Sequence, residues 1–224
     1  MTYWQSVLSV SSMVLCLTTG HSLVVQAHDR QGPQLAALPP IAVTETVQGR
    51  LSIPEVTLVT QRGEQVHLYR DLIQGQVVAI NFVYTTCRAA CSLMGAKFAA
   101  LQRQLHEAGA EPTLPAPHLL SVSVDPIVDT PQRLQTWGQQ FGAGPGWTML
   151  TGNKQAIETV LKTLRVFTPD KGEHAPIVLL GNDATGVWMR VNGLAATPAM
   201  LAQLLTTISQ APAPTAPPQE GPQP

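Results

Sequence analysis

The chain has 224 residues, of which 12% are charged, 5% aromatic and 44% hydrophobic. That fits one globular domain with non-globular ends better than two full domains. Thirteen Lys and Arg against fourteen Asp and Glu leave a net charge of −1, so no basic field is available to hold nucleic acid or anionic lipid through phosphate contacts.

Residues 1–27 hold an apolar run from Val7 to Leu17 and end in Val25-Gln26-Ala27, small residues that suit a signal-peptidase cut before His28. The segment reads as a signal peptide or an N-terminal anchor. The run is shorter than the roughly 20 residues that span a bilayer as a helix. Cys16 follows bulky Val14 and Leu15, where a lipid-attachment site would carry small residues. Membrane contact is therefore expected only through this segment if it stays attached. The expected location is the periplasm or the outer face of the inner membrane. Export leaves Cys87 and Cys91 in a compartment where disulfides persist. Two cysteines four apart close too short a loop to staple a domain, so their purpose is chemical.

Residues 28–48, with Gln-Gly-Pro-Gln and Leu-Pro-Pro, have the composition of a flexible tether. The globular domain is expected over 49–210. Pro54–Val59 and Gln65–Leu68 form a predicted hairpin about the turn at Arg62-Gly63, followed by a short turn at Tyr69–Ile73. Gln76–Tyr84 is almost continuously apolar and suits a strand covered on both faces. Beyond Cys91, the positions Met94, Phe98, Leu101 and Leu105 form one helical stripe stopped by Gly109. A strand over His118–Val124 leads to a helix capped by Asp129 or Thr130, with Pro131 in its first turn and Leu134, Trp137 and Phe141 facing inward. A short strand at Trp147–Leu150 and a helix at Asn153–Leu164 follow. After the loop Arg165–Pro176, Ile177–Leu180 and Val187–Val191 make a second hairpin, and Pro198–Ser209 is the last amphipathic helix. Residues 211–224 hold six of the nineteen prolines and are read as a disordered Pro/Ala-rich tail.

This order places the cysteine pair at the first strand-to-helix turn. It predicts an α/β, thioredoxin-like three-layer fold with an N-terminal β-hairpin and a long loop before the last hairpin. A thiol at a helix N-terminus loses its proton more readily, and Arg88 beside Cys87 acts in the same direction. The four-residue spacing lets both sulfurs face one ion or close a disulfide. Thiolates suit Cu(I), and an added imidazole makes a site able to hold Cu(II).

Thr85-Thr86-Cys87-Arg88-Ala89-Ala90-Cys91, Ser123-Val124-Asp125-Pro126-Ile127-Val128-Asp129-Thr130-Pro131 and Gly146-Trp147-Thr148-Met149-Leu150-Thr151-Gly152 resemble the Sco/SenC family, with similarity from about Leu51 to Leu205. The resemblance implies an exported copper-binding metallochaperone. Its ligands would be Cys87, Cys91 and His174, and it would deliver copper to a subunit of cytochrome oxidase or another cuproprotein. The same resemblance marks Asp125 as near the copper site; by itself the Asp125/Asp129 pair suits capping and turn formation. It also singles out His174 over His28, His67, His106 and His118. It departs from the family where Arg88 and Ser92 follow the cysteines in place of proline, which leaves more room for disulfide exchange. The alternative is a thiol-disulfide oxidoreductase in which Cys87 and Cys91 are the redox pair, served by a thiol reductant or partner dithiol. The thioredoxin-like layout further predicts a cis peptide bond before Pro176. Met94, Met149, Met189 and Met200 are read as packing residues.

Overall fold

The computed structural model describes residues 43–48, 51–107 and 116–212. The segment 1–27, most of the tether, Gly109 and the tail beyond 212 lie outside those residues. Strands β1 (Val43–Gln48), β2 (Thr57–Thr60), β3 (Gln65–His67), β4 (Val77–Val83), β5 (His118–Ser123), β6 (Trp147–Thr151), β7 (Ile177–Asn182) and β8 (Val187–Asn192) form one sheet in the order β1-β8-β7-β4-β5-β6-β2-β3. The helices are α1 (Leu68–Leu72), α2 (Ala90–Glu107), α3 (Pro131–Gln140), α4 (Lys154–Thr163) and α5 (Pro198–Ser209).

Strand β4 is buried at every position, as its apolar run requires of a central strand. It pairs in parallel with β5 and antiparallel with β7. Alternate residues feed two cores. Val77, Ala79 and Val83 pack with Met94, Phe98 and Leu101 of α2, with Leu134 and Trp137 of α3, and with Leu201, Leu204 and Leu205 of α5. Val78, Ile80 and Phe82 pack with Leu68 of α1 and with Ile157, Val160 and Leu161 of α4. Helices on both faces of a sheet make the expected three layers.

The register fixes which ends of the strands share a rim. Asn81 lies opposite Val178, so the start of β7 adjoins the end of β4. Ile177 faces Asn192 and Val191 faces Val43, which puts the end of β8 and the start of β1 on that same rim. At the opposite rim, Asn182 Nδ2 donates to the Ile208 carbonyl near the end of α5 at 3.1 Å.

Three expectations need correction. Val43–Gln48, read as tether, is an edge strand antiparallel to β8. Backbone pairing with β8 builds it, joined by an ion pair between Glu45 and Arg190 at 3.4 Å, and no apolar alternation announces it. The segment after β3 is the short helix α1 rather than a turn. The peptide bond before Pro176 is trans, since the described residues contain no cis bond. The loop over 165–176 also contains a 3-10 turn, Lys171–Glu173. Among the described residues no helix is long and apolar enough to cross a membrane.

Candidate metal centre

The buried strand β4 ends at Val83, and Tyr84 to Ala89 turn the chain into α2, whose second residue is Cys91. Cys87 therefore stands just ahead of a helix N-terminus, half-buried, while Cys91 is inside and 1% exposed. Both are free thiols. The Cys87 sulfur accepts the Cys91 backbone N–H at 3.4 Å. The Cys91 thiol, the Ala89 N–H and the Tyr84 hydroxyl nearby also favour its charged form. Partial burial works to raise the Cys87 pKa, but these donors together hold it below the ordinary thiol value of 9.0. The chemical cause is the ring of local donors, and Arg88 itself is exposed to solvent.

The second thiol behaves oppositely. Burial, and then donation to Cys87 and the nearby negative charge of Asp129, push Cys91 up to about 12. Tyr84 is pushed up to about 12 as well, first by burial and then by donating to Cys87. One sulfur is thus favoured as thiolate and partly exposed, and its neighbour is held neutral and covered.

His174 follows the Lys171–Glu173 turn and precedes β7, on the same rim. Its ring lies edge-on against Tyr84, with centroids 5.6 Å apart. Nδ1 lies 2.9 Å from the Lys171 carbonyl and Nε2 lies 3.2 Å from the Phe82 carbonyl. Tyr84 thus stands beside both arms of the site, its hydroxyl favouring the Cys87 thiolate and its ring against His174. Among the described residues no three His, Cys, Asp or Glu side chains are grouped closely enough to hold a metal ion. In this conformation the imidazole is turned to backbone carbonyls.

Among the described residues, the other histidines are placed away from the thiols or engaged elsewhere. His67 pairs with Glu55 at 3.0 Å. His118 begins β5, opposite Val78 on the far rim. His106 is in the last turn of α2. His28 lies outside the described residues. Asp125 is buried and forms an ion pair with Lys171, which brings it into the His174 loop. A groove of about 640 Å³ opens beside that loop, between α4 and the turn after β5, with His174, Asp125 and the exposed Ile127 and Phe167 on its walls. Tyr84 was missed in the sequence because an aromatic residue closing an apolar strand reads as core. Lys171 was missed because a lysine in a polar loop reads as solvated.

The sequence matches the SCO1/SenC family over residues 45–209. The chain belongs to that family. The SCO1 protein homolog of Bacillus subtilis is 28% identical over 151 residues, 63% of this chain and 74% of that protein. Among solved structures, Bradyrhizobium japonicum ScoI with copper bound is 23% identical, with a TM-score of 0.57 over 70% of this chain and 99% of that one. BsSco, described as carrying a disulfide switch and as a member of the Sco family of cytochrome c oxidase assembly proteins, is 24% identical, with a TM-score of 0.60 over 75% and 98% of the two chains. These structures share the thioredoxin-like fold of this SCO1/SenC protein.

Proposed function

We propose that the chain is an exported copper metallochaperone in which Cys87, Cys91 and His174 hold one copper ion as cargo, for transfer by ligand exchange to an oxidase subunit or another cuproprotein. The observation that carries the reading is the paired thiols at the mouth of α2, with Tyr84 beside them laying its ring against His174 on the same rim. Two sulfurs suit Cu(I), and the imidazole extends the donor set toward Cu(II). A neutral imidazole donates from only one nitrogen. We assign the proton to Nδ1, on its shorter contact to the Lys171 carbonyl. The Nε2 lone pair is then left to the metal, and a backbone carbonyl orients the ring as is usual for ligating histidines. Ligation exchanges the Nε2 contact with the Phe82 carbonyl for a metal bond. The copper-bound Bradyrhizobium relative and the oxidase-assembly description of BsSco support the choice of cargo and recipient. The apolar run within residues 1–27 supports export, with delivery at the outer face of a membrane.

The contrast between the two thiols favours a second reading, thiol-disulfide exchange. The Cys87 thiolate attacks a partner disulfide, forming a mixed disulfide and releasing one partner sulfur. Cys91 then gives up its proton and attacks Cys87, releasing the second sulfur, so that two electrons and the Cys91 proton pass to the partner, left as one thiol and one thiolate, as the Cys87–Cys91 disulfide forms. The deciding experiment loads the reduced chain with copper and compares it with Cys87→Ala, Cys91→Ala and His174→Ala. The metallochaperone predicts one retained ion, a sulfur-to-Cu(II) absorption band, and loss of both in every variant. Undiminished retention by His174→Ala, together with ready reduction of a protein disulfide, establishes the oxidoreductase instead.

A further inference from the structure

The turn that follows β5 holds both arms of the centre, although neither arm is near it in sequence. Asp129 is 1% exposed. Its carboxylate accepts the Thr85 N–H at 3.2 Å on each oxygen, the Thr85 hydroxyl at 2.5 Å and the Ser123 hydroxyl at 2.6 Å. Thr85 is two residues ahead of Cys87, so these bonds fix the start of the cysteine turn. At the other end, the Asp125 N–H donates to Ser123 Oγ at 3.0 Å and the Asp125 carboxylate meets Lys171 Nζ. Lys171 presents its carbonyl to His174 Nδ1 and lays its ammonium over the Tyr84 ring, 5.5 Å from the centroid.

Helix capping does not account for either carboxylate. The N-cap of α3 is Thr130, whose hydroxyl accepts the Arg133 N–H at 3.3 Å. A carboxylate buried as fully as Asp129 is tolerated only if its hydrogen bonds offset its desolvation. Here those bonds are made to Thr85 and Ser123. The two tethers differ in strength: the Asp129 bonds are internal, whereas the Lys171 side chain that meets Asp125 is 43% exposed.

We propose that Asp125 and Asp129 are positioning residues forming one bracket, in which Asp129 sets the cysteine arm through Thr85 and Asp125 sets the histidine arm through Lys171. The inference rests on the copper reading for its functional meaning, and its test separates the two. In the full reduced chain, Cu(I) affinity is measured by competition with a chromophoric chelator. Asp125→Asn and Lys171→Met are each expected to weaken binding about tenfold, the low end for outer-sphere partners of metal ligands. Their double variant should be no worse than either alone, and both effects should vanish when His174→Ala is also present. The exchanged pair, Asp125→Lys with Lys171→Asp, should recover affinity. Asp129→Asn, with Thr85→Val in its place if that variant does not fold, should weaken binding whether or not His174 is present. A general loss of structure would not produce this division. Effects of Asp125→Asn that persist at full size in the His174→Ala chain, or no loss from Lys171→Met, overturn the bracket. A second readout needs no copper. The His174 ring nitrogen resonances should move in Lys171→Met and stay in place in Asp129→Asn, whose Thr85 amide should exchange faster instead. If the wild-type chain fails to retain copper, the copper reading falls, and unchanged ring resonances in Lys171→Met would refute the bracket on their own.

Discussion

Gly193 leaves β8 and lies where the two arms of the centre pack together. A Cβ there would sit 2.6 Å from Met94 Cε, 2.8 Å from Met94 Sδ and 2.9 Å from the Pro176 carbonyl oxygen. Its φ is not in the left-handed region, so the glycine is required by space and not by backbone conformation. Carbon atoms pack at about 3.5–4.0 Å, so the shortfall is about 1 Å against a methionine that is 2% exposed and a backbone oxygen. Gly193→Ala should therefore destabilise by about 1–3 kcal/mol as an overpacked core substitution. For a domain of this size that is a fall in Tm of roughly 4–8 °C at mid-range. Met94→Ala alone should cost about 2–5 kcal/mol. Together the new methyl enters the vacated space and two of the three close contacts disappear, so the double variant should lose about 1–2 kcal/mol less than the sum. Urea unfolding of the reduced, metal-free chain measures all four corners of this cycle. Additivity within about 0.5 kcal/mol, or a Gly193→Ala chain as stable as wild type, would refute the packing argument.

Other expectations follow from single environments. Both polar atoms of the Asn81 side chain are buried without a hydrogen-bond partner, so Asn81→Leu should raise stability by about 1 kcal/mol or more, and a loss in the urea midpoint would contradict this. Trp147→Phe removes the indole N–H that donates to Ser121 Oγ at 2.9 Å and should cost about 1–3 kcal/mol. Adding Ser121→Ala should return part of that loss, and a double variant weaker than the single would argue against it. In the reduced chain, an alkylating agent should label Cys87 first, with a midpoint below 9.0, and leave Cys91 untouched until strongly alkaline pH. Because the folded Cys91 pKa is raised to about 12 from 9.0, its contribution to stability is present below 9.0 and is lost as pH climbs toward 12. Alkaline unfolding should therefore be shallower in Cys91→Ala, and identical pH curves would exclude the cause given.

Where structure follows local pattern, the residues were enough to read it. The stripe at Met94, Phe98 and Leu101 is the inward face of α2, and Pro198–Ser209 matches α5 in both bounds. Strand β1 was illegible because pairing with β8 depends on backbone groups that every residue carries. Helix α1 was read as a turn because it has only five residues, too few for a periodic stripe. In the site, the thiols announced themselves by type and spacing. The role of Asp129 did not, because beside Thr130 and Pro131 it looks like a helix cap. Its carboxylate bonds instead to Ser123 and to Thr85, the latter 44 residues away, and no local pattern reports a contact at that separation.

The edge strand has a directional consequence. β1 enters with Val43 beside Val191, at the thiol end of the sheet, three strands from β4 and so about 14 Å to its side. The chain therefore enters the described domain on the rim where the sulfurs lie. Helix α5 ends on the opposite side, by Asn182, so the first strand and the last helix meet the sheet at opposite rims.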